Sequence, residues 1–342
     1  PPQPPVQISP ENGALLSDNL PYFSWWSVSD AVVYRLQIDN DSDFSSPVYD
    51  NTSISENFDN FALHPTDALP DGLWYWRVGS VDDAGNSGWS EIRIFRIDTQ
   101  PPSDAPVLLW PPDNYFTNDS TPRLEWTAVD DPAGVFYTVL LAKDPSFSVG
   151  LMVFENILDN WYTLSVHLED NTYYWRVQVI DSLGHEGPFS AVRTFHIDTY
   201  IEAPSLLDPD NGSVISNRRP EFNWEEIQEP AGVLYTLEIS STSDFSSIER
   251  TIANLTQPSY TLSASEELSE GTWFWRVRAR DEVYDENGNL AGNENVSEVF
   301  HFIIDSTVSA PTLVSPPSGS FHHANRRPGL ISSPSSISRC EP

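Results

Sequence analysis

The tripeptide Trp-Arg-Val occurs three times in this chain, at residues 76–78, 175–177 and 275–277. Other blocks recur around it in the same order. A repeat of about one hundred residues is a self-contained domain, because a solenoid unit that needs its neighbours to fold is much shorter. The other recurring features are a Pro-x-(Phe/Leu)-x-Trp motif ending at Trp25, Trp126 and Trp224, a Tyr and a Phe ten residues apart, and an Ile-Asp-(Thr/Ser) cluster at Asp98, Asp198 and Asp305.

These blocks predict three tandem domains over residues 1–101, 102–203 and 204–310. Residues 311–342 copy the start of a fourth repeat and then lose its aromatic pattern, so we expect a truncated repeat with a disordered tail.

Within each repeat, apolar residues alternate with their neighbours. In the first repeat Trp74, Trp76 and Val78 fall on one face of a segment, which is typical of a β-strand with one buried face. Turn-rich clusters separate such segments, and the best helix candidate, 263–268, is too short. About seven short strands in each repeat predict an all-β fold of tandem antiparallel β-sandwiches. The short proline-bearing linkers indicate that neighbouring sandwiches are held semi-rigidly in line.

The composition narrows the classes of partner. The formal net charge is −33, from 50 acidic and 17 basic residues, and such a surface repels nucleic acids and anionic lipids. We therefore expect no nucleic-acid partner. The sequence has no apolar stretch of about 18 residues, so no membrane span is expected either. Cys340 is the single cysteine and lies outside the three repeats, which excludes disulfide-stapled domains.

Residues 72–90, G-L-W-Y-W-R-V-G-S-V-D-D-A-G-N-S-G-W-S, resemble the sixth strand and following loop of fibronectin type III-like domains in prokaryotic surface and secreted proteins. Trp25, Trp126 and Trp224 match the tryptophan of that family's second strand, and residues 97–102 resemble the junctions of bacterial Ig-like repeats. The resemblance implies fibronectin type III-like or Ig-like sandwiches. It says little about function, because such domains serve as spacers, adhesins and enzyme appendages.

The sequence departs from that family in two respects. Trp74 and Trp273 stand where the family has its corner tyrosine, and the third repeat has an enlarged loop over residues 281–298.

We expect no catalytic residue, and therefore no enzyme activity in this chain. The seven histidines share no equivalent position in two repeats. The motifs H-E-x-x-H and G-x-S-x-G, a phosphate loop and a dinucleotide fingerprint are all absent from the sequence.

Nothing in the sequence requires a cofactor. The one candidate ligand that its acidic pattern suggests is Ca²⁺. Asp39, Asp41 and Asp43 have a D-x-D-x-D spacing that lets alternating carboxylates reach one Ca²⁺. Phe44 stands where a calcium loop of the EF-hand type needs glycine, so we prefer a solvated turn. A loop with Asp285, Asn287 and Asn289 is a weaker calcium candidate, and an extended hairpin is the preferred interpretation there.

A second calcium hypothesis concerns the first domain junction. In a type III-like sandwich one pole of a domain meets the opposite pole of the next domain. A hard cation bound between carboxylates that converge there would stiffen the junction and relieve the repulsion between them. The alternative is a set of unrelated surface carboxylates, which are common on so acidic a chain. The residues expected to face one another are Asp39, Asp71 and Asp98 on one side and Asp130, Asp131 and Asp181 on the other.

Trp26, Trp110 and Trp161 have no counterpart in the other repeats. Exposed indoles stack on sugar rings, so these three residues are candidate glycan contacts. Packing under a loop or linker is the interpretation we prefer. If the protein is exported through a glycosylating pathway, its six N-x-(Ser/Thr) sequons are candidate acceptors: Asn40, Asn51, Asn118, Asn211, Asn254 and Asn295.

Together these features predict a non-catalytic extracellular or cell-surface array that acts as a semi-rigid stalk or adhesion scaffold. Its expected partner is an extracellular protein or polysaccharide. The alternative is a carbohydrate- or protein-binding accessory region of a larger secreted hydrolase. Strands of up to about ten residues give domains of about 30–35 Å, so three in line approach about 100 Å.

Overall fold

The computed structural model describes residues 2–29, 31–55, 61–285 and 289–307. In these ranges the chain forms three domains of nine strands each, and the tail predicted for 311–342 lies outside them. The first domain has β1 (Val6–Ser9), β2 (Ala14–Leu16), β3 (Tyr22–Trp26), β4 (Val33–Asp39), β5 (Tyr49–Ser55), β6 (Phe61–Ala62), β7 (Gly72–Val81), β8 (Ser87–Trp89) and β9 (Arg93–Ile97).

The second and third domains repeat this series. The second has β10 (Leu108–Trp110), β11 (Tyr115–Thr117), β12 (Arg123–Trp126), β13 (Val135–Ala142), β14 (Met152–Ile157), β15 (Trp161–Thr163), β16 (Asn171–Asp181), β17 (Glu186–Phe189) and β18 (Arg193–Ile197). The third has β19 (Leu206–Asp208), β20 (Ser213–Ile215), β21 (Glu221–Trp224), β22 (Val233–Ser240), β23 (Ile248–Leu255), β24 (Ser259–Thr261), β25 (Gly271–Asp281), β26 (Glu294–Val296) and β27 (Phe300–Ile304).

Each domain is a sandwich of a small sheet and a large sheet. In the first domain the small sheet has the order β1-β3-β6, and the large sheet has the order β2-β9-β7-β4-β5, with β8 paired to β7. The other two domains have the same two orders. All pairs are antiparallel except the one between the second and last strands of each domain. The predicted all-β fold of tandem sandwiches is confirmed.

The first and last strands of each sandwich are both broken, which is why there are nine strands rather than about seven. In the first domain Pro10 lies in the break between β1 and β2, and these two strands belong to different sheets. The last strand breaks at Ser90, whose hydroxyl accepts a hydrogen bond from the Val78 N–H (3.0 Å). Ser190 and Ser297 do the same in the other domains. A side-chain oxygen thus bridges each interruption of the ladder.

The tryptophan of each Trp-Arg-Val motif is fully buried between the two sheets. The tyrosine on the fourth strand also has one role in all three domains. Tyr34 packs against Trp25, with ring centroids 5.5 Å apart, and its hydroxyl accepts a hydrogen bond from the Val28 N–H (2.6 Å). The Tyr137 and Tyr235 hydroxyls accept equivalent bonds at 2.8 and 2.9 Å. This position therefore needs a large apolar ring with a polar end.

The arginine of the motif stacks on the recurring phenylalanine. Arg77 lies 4.3 Å from the Phe44 ring centroid, and the two later pairs are 4.4 and 4.1 Å apart. Phe44, Phe147 and Phe245 hold φ values of 52°, 57° and 58°, a left-handed conformation that bulky residues rarely adopt. The cation–π contact partly offsets its cost.

The substituted corner residues keep the hydrogen bond of the corner. In the second domain the Tyr173 hydroxyl donates to the Glu169 carbonyl (3.1 Å). In the first and third domains the indole N–H of Trp74 and Trp273 donates to the carbonyl four residues earlier, both at 2.9 Å. Tryptophan thus replaces tyrosine here with the same type of bond.

The described residues contain only two helical segments, both single 3₁₀ turns, at Pro65–Asp67 and Ala264–Glu266. Ser263 and Glu266 form a capping box around the second turn. Neither turn is long enough to span a membrane.

Candidate functional site

The linker after the first domain begins at a buried aspartate. Asp98 follows β9, its backbone N–H donates to the Leu16 carbonyl (2.9 Å), and it is 4% exposed. Its Oδ1 accepts a long hydrogen bond from the Gln100 N–H (3.3 Å). Its Oδ2 is buried and has no hydrogen-bond donor in the described part of the chain. A carboxylate oxygen in that position is costly unless something positive approaches it.

The second domain contributes two carboxylates to the same place. Asp181 is the last residue of β16 and is 1% exposed. It accepts hydrogen bonds from two backbone N–H groups and pairs with the Nδ1 of His185 at 2.7 Å. Asp131 lies in the loop between β12 and β13, where its Oδ1 accepts a bond from the Ala133 N–H (2.8 Å).

Asp98, Asp131 and Asp181 converge across the first junction. Each offers a carboxylate oxygen, and these oxygens all lie within 4.8 Å of one another. Burial, and then the charges of Asp98 and Asp181, raise the pKa of Asp131. His185 is the only ion-pair partner of these three carboxylates among the described residues. The cluster can therefore take up either a proton or a cation.

An equivalent group at the second junction was not foreseen from the sequence. Asp198 and Asp281 take the places of Asp98 and Asp181, and Glu229 takes that of Asp131. Burial and then the neighbouring Asp198 raise the pKa of Glu229 to about 7. Burial and then Asp281 raise the pKa of Asp198. The signal that could have revealed this group is the Pro-Ala-Gly sequence that follows both Asp131 and Glu229.

The two groups differ at the residue in the place of His185. This residue is Asn293, which donates from its backbone N–H and its Nδ2 to the two carboxylate oxygens of Asp281, at 2.8 and 2.7 Å. Its Nδ2 also donates to the Asp198 carbonyl (2.9 Å). A neutral amide therefore crosses the second junction.

The structure does not bring the other predicted calcium ligands into the cluster. Asp130 is exposed beside Asp131. Asp39 is buried at the end of β4, and its Oδ1 accepts from the Asn40 N–H. Asp41 and Asp43 each accept a hydrogen bond from the backbone N–H two residues later, at 3.3 and 2.7 Å. Those bonds define the exposed turn that the sequence favoured.

Asp71 has a structural role at the linker instead. It accepts hydrogen bonds from the backbone N–H and hydroxyl of Thr99, at 3.1 and 3.0 Å. Asp170 binds Thr199 in the same way, and Glu270 binds Ser306. Each linker is thus tied to the domain that precedes it.

The enlarged loop of the third domain packs against the second domain. The Asn118 side-chain amide donates to the Ala291 carbonyl (2.7 Å), and the Tyr115 hydroxyl donates to the Tyr284 carbonyl. An isolated bridge between Tyr284 and Leu290 retains part of the expected hairpin. Asp285 accepts two bonds from Asn289, and Asn287 lies outside the described residues.

Two of the three candidate glycan-binding tryptophans share one face of the second domain. Trp110 and Trp161 are both in register with Glu125 in the small sheet, so they lie two strands apart, about 10 Å. Trp110 packs against Tyr115, with ring centroids 4.7 Å apart. A groove of about 330 Å³ beside it is lined by Trp110, Tyr115, Arg123 and Asp285 among others.

Trp161 is in contact with an arginine, and Trp26 is largely exposed. Arg123 lies 4.4 Å from the Trp161 ring centroid and pairs with Glu125 at 2.7 Å. Trp26, in the first domain, is 66% exposed.

The six sequons differ in how accessible their side-chain amides are. The amides of Asn118 and Asn295 donate hydrogen bonds across the second junction, so a glycan on either would compete with it. The amide of Asn51 donates to the Tyr49 hydroxyl (3.3 Å). The Asn211 Oδ1 accepts from the His301 N–H. Asn40 and Asn254 are exposed.

No family model matches the chain. An uncharacterized protein of Treponema pallidum (strain Nichols) is 27% identical over 243 residues, which cover 63% of this chain and 33% of that protein. This chain therefore spans about one third of the length of that relative.

Among solved structures, the chicken CNTN1 FN1-FN3 domains overlap 89% of this chain and 99% of that chain, at 16% identity and a TM-score of 0.34. A similarity with so low a TM-score carries no argument, so the description of the fold rests on the strand orders given above.

Proposed function

We propose that this chain is a non-catalytic extracellular or cell-surface repeat array that acts as a semi-rigid stalk or adhesion scaffold. The observation that carries the proposal is the bonded second junction. Domains joined by a linker move relative to one another unless a substantial interface holds them. Here the loop of the third domain reaches both the linker and the body of the second domain.

Three side-chain amides support this stiffness. Asn293 donates to the Asp198 carbonyl (2.9 Å), Asn295 to the Ile201 carbonyl (3.1 Å) and Asn118 to the Ala291 carbonyl (2.7 Å). The Asn293 and Asn295 bonds and the Asp170–Thr199 contact hold the linker from both sides, and the Asn118 bond ties the loop of the third domain to the second domain. A stalk needs such junctions, because a flexible chain of domains does not hold a ligand at a fixed distance.

The test of stiffness is ¹⁵N relaxation of the second and third domains within the whole chain. Both domains should fit one anisotropic diffusion tensor. Replacing Asn118 and Asn295 together by Ala should release them, while Asn40→Ala and Asn254→Ala should not. Independent tumbling of the wild-type domains would rule out a semi-rigid stalk.

The extracellular location needs its own experiment. An antibody against the three domains should label intact cells that produce the protein, and external protease should remove the signal. Labelling only after the cells are permeabilised would reject a surface role.

A second candidate function is carbohydrate binding, and the row of Trp110, Glu125 and Trp161 favours it. Sugar rings stack on indoles while their hydroxyls bind carboxylates, and this face offers both groups. Binding of the chain to a glycan array should be lost in Trp161→Ala and retained in Trp26→Ala. Equal binding by both variants would remove the second domain as the binding face.

A further inference from the structure

We propose that the first domain junction is a calcium-binding site whose protein ligands are Asp98, Asp131 and Asp181. The inference goes beyond the scaffold function, because an array can be stiff without a metal ion. It assigns a cation to a specific place between the first two domains.

The spacing of the three carboxylates fits this ion. Calcium binds oxygen ligands at about 2.3–2.6 Å, so two ligands on opposite sides of it lie about 4.8 Å apart. The oxygens of Asp98, Asp131 and Asp181 all lie within 4.8 Å of one another. Magnesium holds its ligands at about 2.0–2.1 Å and requires a tighter octahedron. The 4.8 Å limit admits both ions, but calcium tolerates the irregular geometry of carboxylates from three separate segments, and we therefore assign calcium.

The second observation is independent of the clustering. Asp98 is 4% exposed, and its Oδ2 is buried without a hydrogen-bond donor among the described residues. The carboxylate oxygens of Asp131 and Asp98 lie within 4.8 Å of each other, and both are acceptors when ionised. A bound cation would satisfy this oxygen and remove the repulsion that burial strengthens.

The charge balance points the same way. The three carboxylates face one side chain that can carry a positive charge, His185, which is bound to Asp181 and is charged only when protonated. The remaining coordination of calcium would come from water or backbone carbonyls, which this ion accepts readily.

The second junction provides an internal contrast. There Glu229 replaces Asp131, and the Asn293 amide donates to the Asp281 carboxylate and to the backbone carbonyl of Asp198. Asp198 Oδ2 is buried without a hydrogen-bond donor among the described residues, as Asp98 Oδ2 is. Among the described residues, only the first junction brings three such ligands within 4.8 Å. We therefore expect one calcium site in this chain rather than two.

The test is calorimetric titration of CaCl₂ into the metal-free chain, with MgCl₂ as the competing ion. The wild type should bind one Ca²⁺ per chain, and excess Mg²⁺ should leave that stoichiometry unchanged. Asp131→Asn should bind at least tenfold more weakly. Asp130→Asn is the matched control, since it removes the same charge from the adjacent exposed residue, and it should bind like the wild type.

Thermal unfolding supplies a readout that does not depend on binding heat. Calcium should raise the first unfolding transition of the wild type and of Asp130→Asn, but not that of Asp131→Asn. Without calcium, Asp131→Asn should be at least as stable as the wild type, because one of three repelling charges is gone. Asp98→Asn should behave like Asp131→Asn. Equal calcium binding by the Asp130 and Asp131 variants, or no binding by the wild type, would overturn the proposal.

Discussion

Trp175 lies at the centre of the second domain's core, and its side chain is completely buried. Replacing it with Ala should lower the free energy of unfolding of that domain by about 3–5 kcal/mol, because the change removes a large apolar surface and leaves a cavity. Trp161→Ala, at a 39% exposed position, should cost less than about 1 kcal/mol. Urea unfolding followed by far-ultraviolet circular dichroism measures both. Equal losses in the two variants would contradict the assignment of the core.

Tyr137 tests the hydrogen bond that recurs beside each core tryptophan. Its hydroxyl accepts from the Val129 N–H at 2.8 Å, and both residues are buried. Tyr137→Phe keeps the ring but leaves that N–H without an acceptor, so it should destabilise the second domain by about 1–3 kcal/mol. Tyr22→Phe, at a 62% exposed position, is the control and should change nothing measurable. An unaltered urea midpoint in Tyr137→Phe would show that the bond does not matter.

At the scale of elements, the strands were largely readable from the sequence and their interruptions were not. Alternation fixes which face of β7, β16 and β25 is buried, because the side-chain period of a strand is two. The break at Ser90 depends on one hydroxyl reaching the Val78 N–H across the ladder, and no periodic pattern encodes that contact. Trp74 likewise seemed to depart from the corner motif until its bond to the Pro70 carbonyl was visible.

The residues of the candidate site were also predicted only in part from the sequence. The order of loops in a type III-like sandwich correctly placed Asp98 opposite Asp131 and Asp181. It also grouped Asp39, Asp71 and Asp130 with them, and these three lie outside the cluster, because whether a loop side chain points into a junction depends on local turns. Glu229 was missed because its residue type differs from that of Asp131, although both precede Pro-Ala-Gly.

The loop that carries Glu229 predicts how pH affects the second junction. The pKa of Glu229 is raised from its ordinary 4.5 to about 7, by burial and then by Asp198. A raised carboxyl pKa means that the folded state holds a proton that the unfolded state releases. Its stabilising effect is therefore complete below pH 4.5 and is lost as the pH rises through 7. Asp198 and Asp281, whose pKa values are also raised, act in the same direction.

Glu229→Gln isolates this effect. The variant should be more stable than the wild type at pH 8, and its melting temperature should vary less between pH 5 and pH 8. Glu225→Gln, at an exposed position in the same loop, should keep the wild-type pH dependence. Scanning calorimetry across this range measures both variants, and identical slopes in Glu229→Gln and the wild type would refute the role of Glu229.

For the whole molecule, the account rests on three sandwiches that each have their own core, and on a second junction that is held by hydrogen bonds. Each domain has its own core cluster, while the hydrogen bonds between the second and third domains lie at the linker and at the enlarged loop. We therefore expect a core mutation to destabilise only its own domain, whereas the shape of the whole chain depends on the junctions. Trp175→Ala should leave the unfolding transitions of the first and third domains almost unchanged.

Small-angle X-ray scattering of residues 1–310 tests this arrangement most directly. Three domains in line should give a maximum dimension of about 100 Å and a radius of gyration of about 30 Å. A single compact globule with the same number of residues would have a radius of gyration of about 20 Å. The account predicts the extended array, with a maximum dimension of about 100 Å and a radius of gyration of about 30 Å. A compact profile near 20 Å would contradict it.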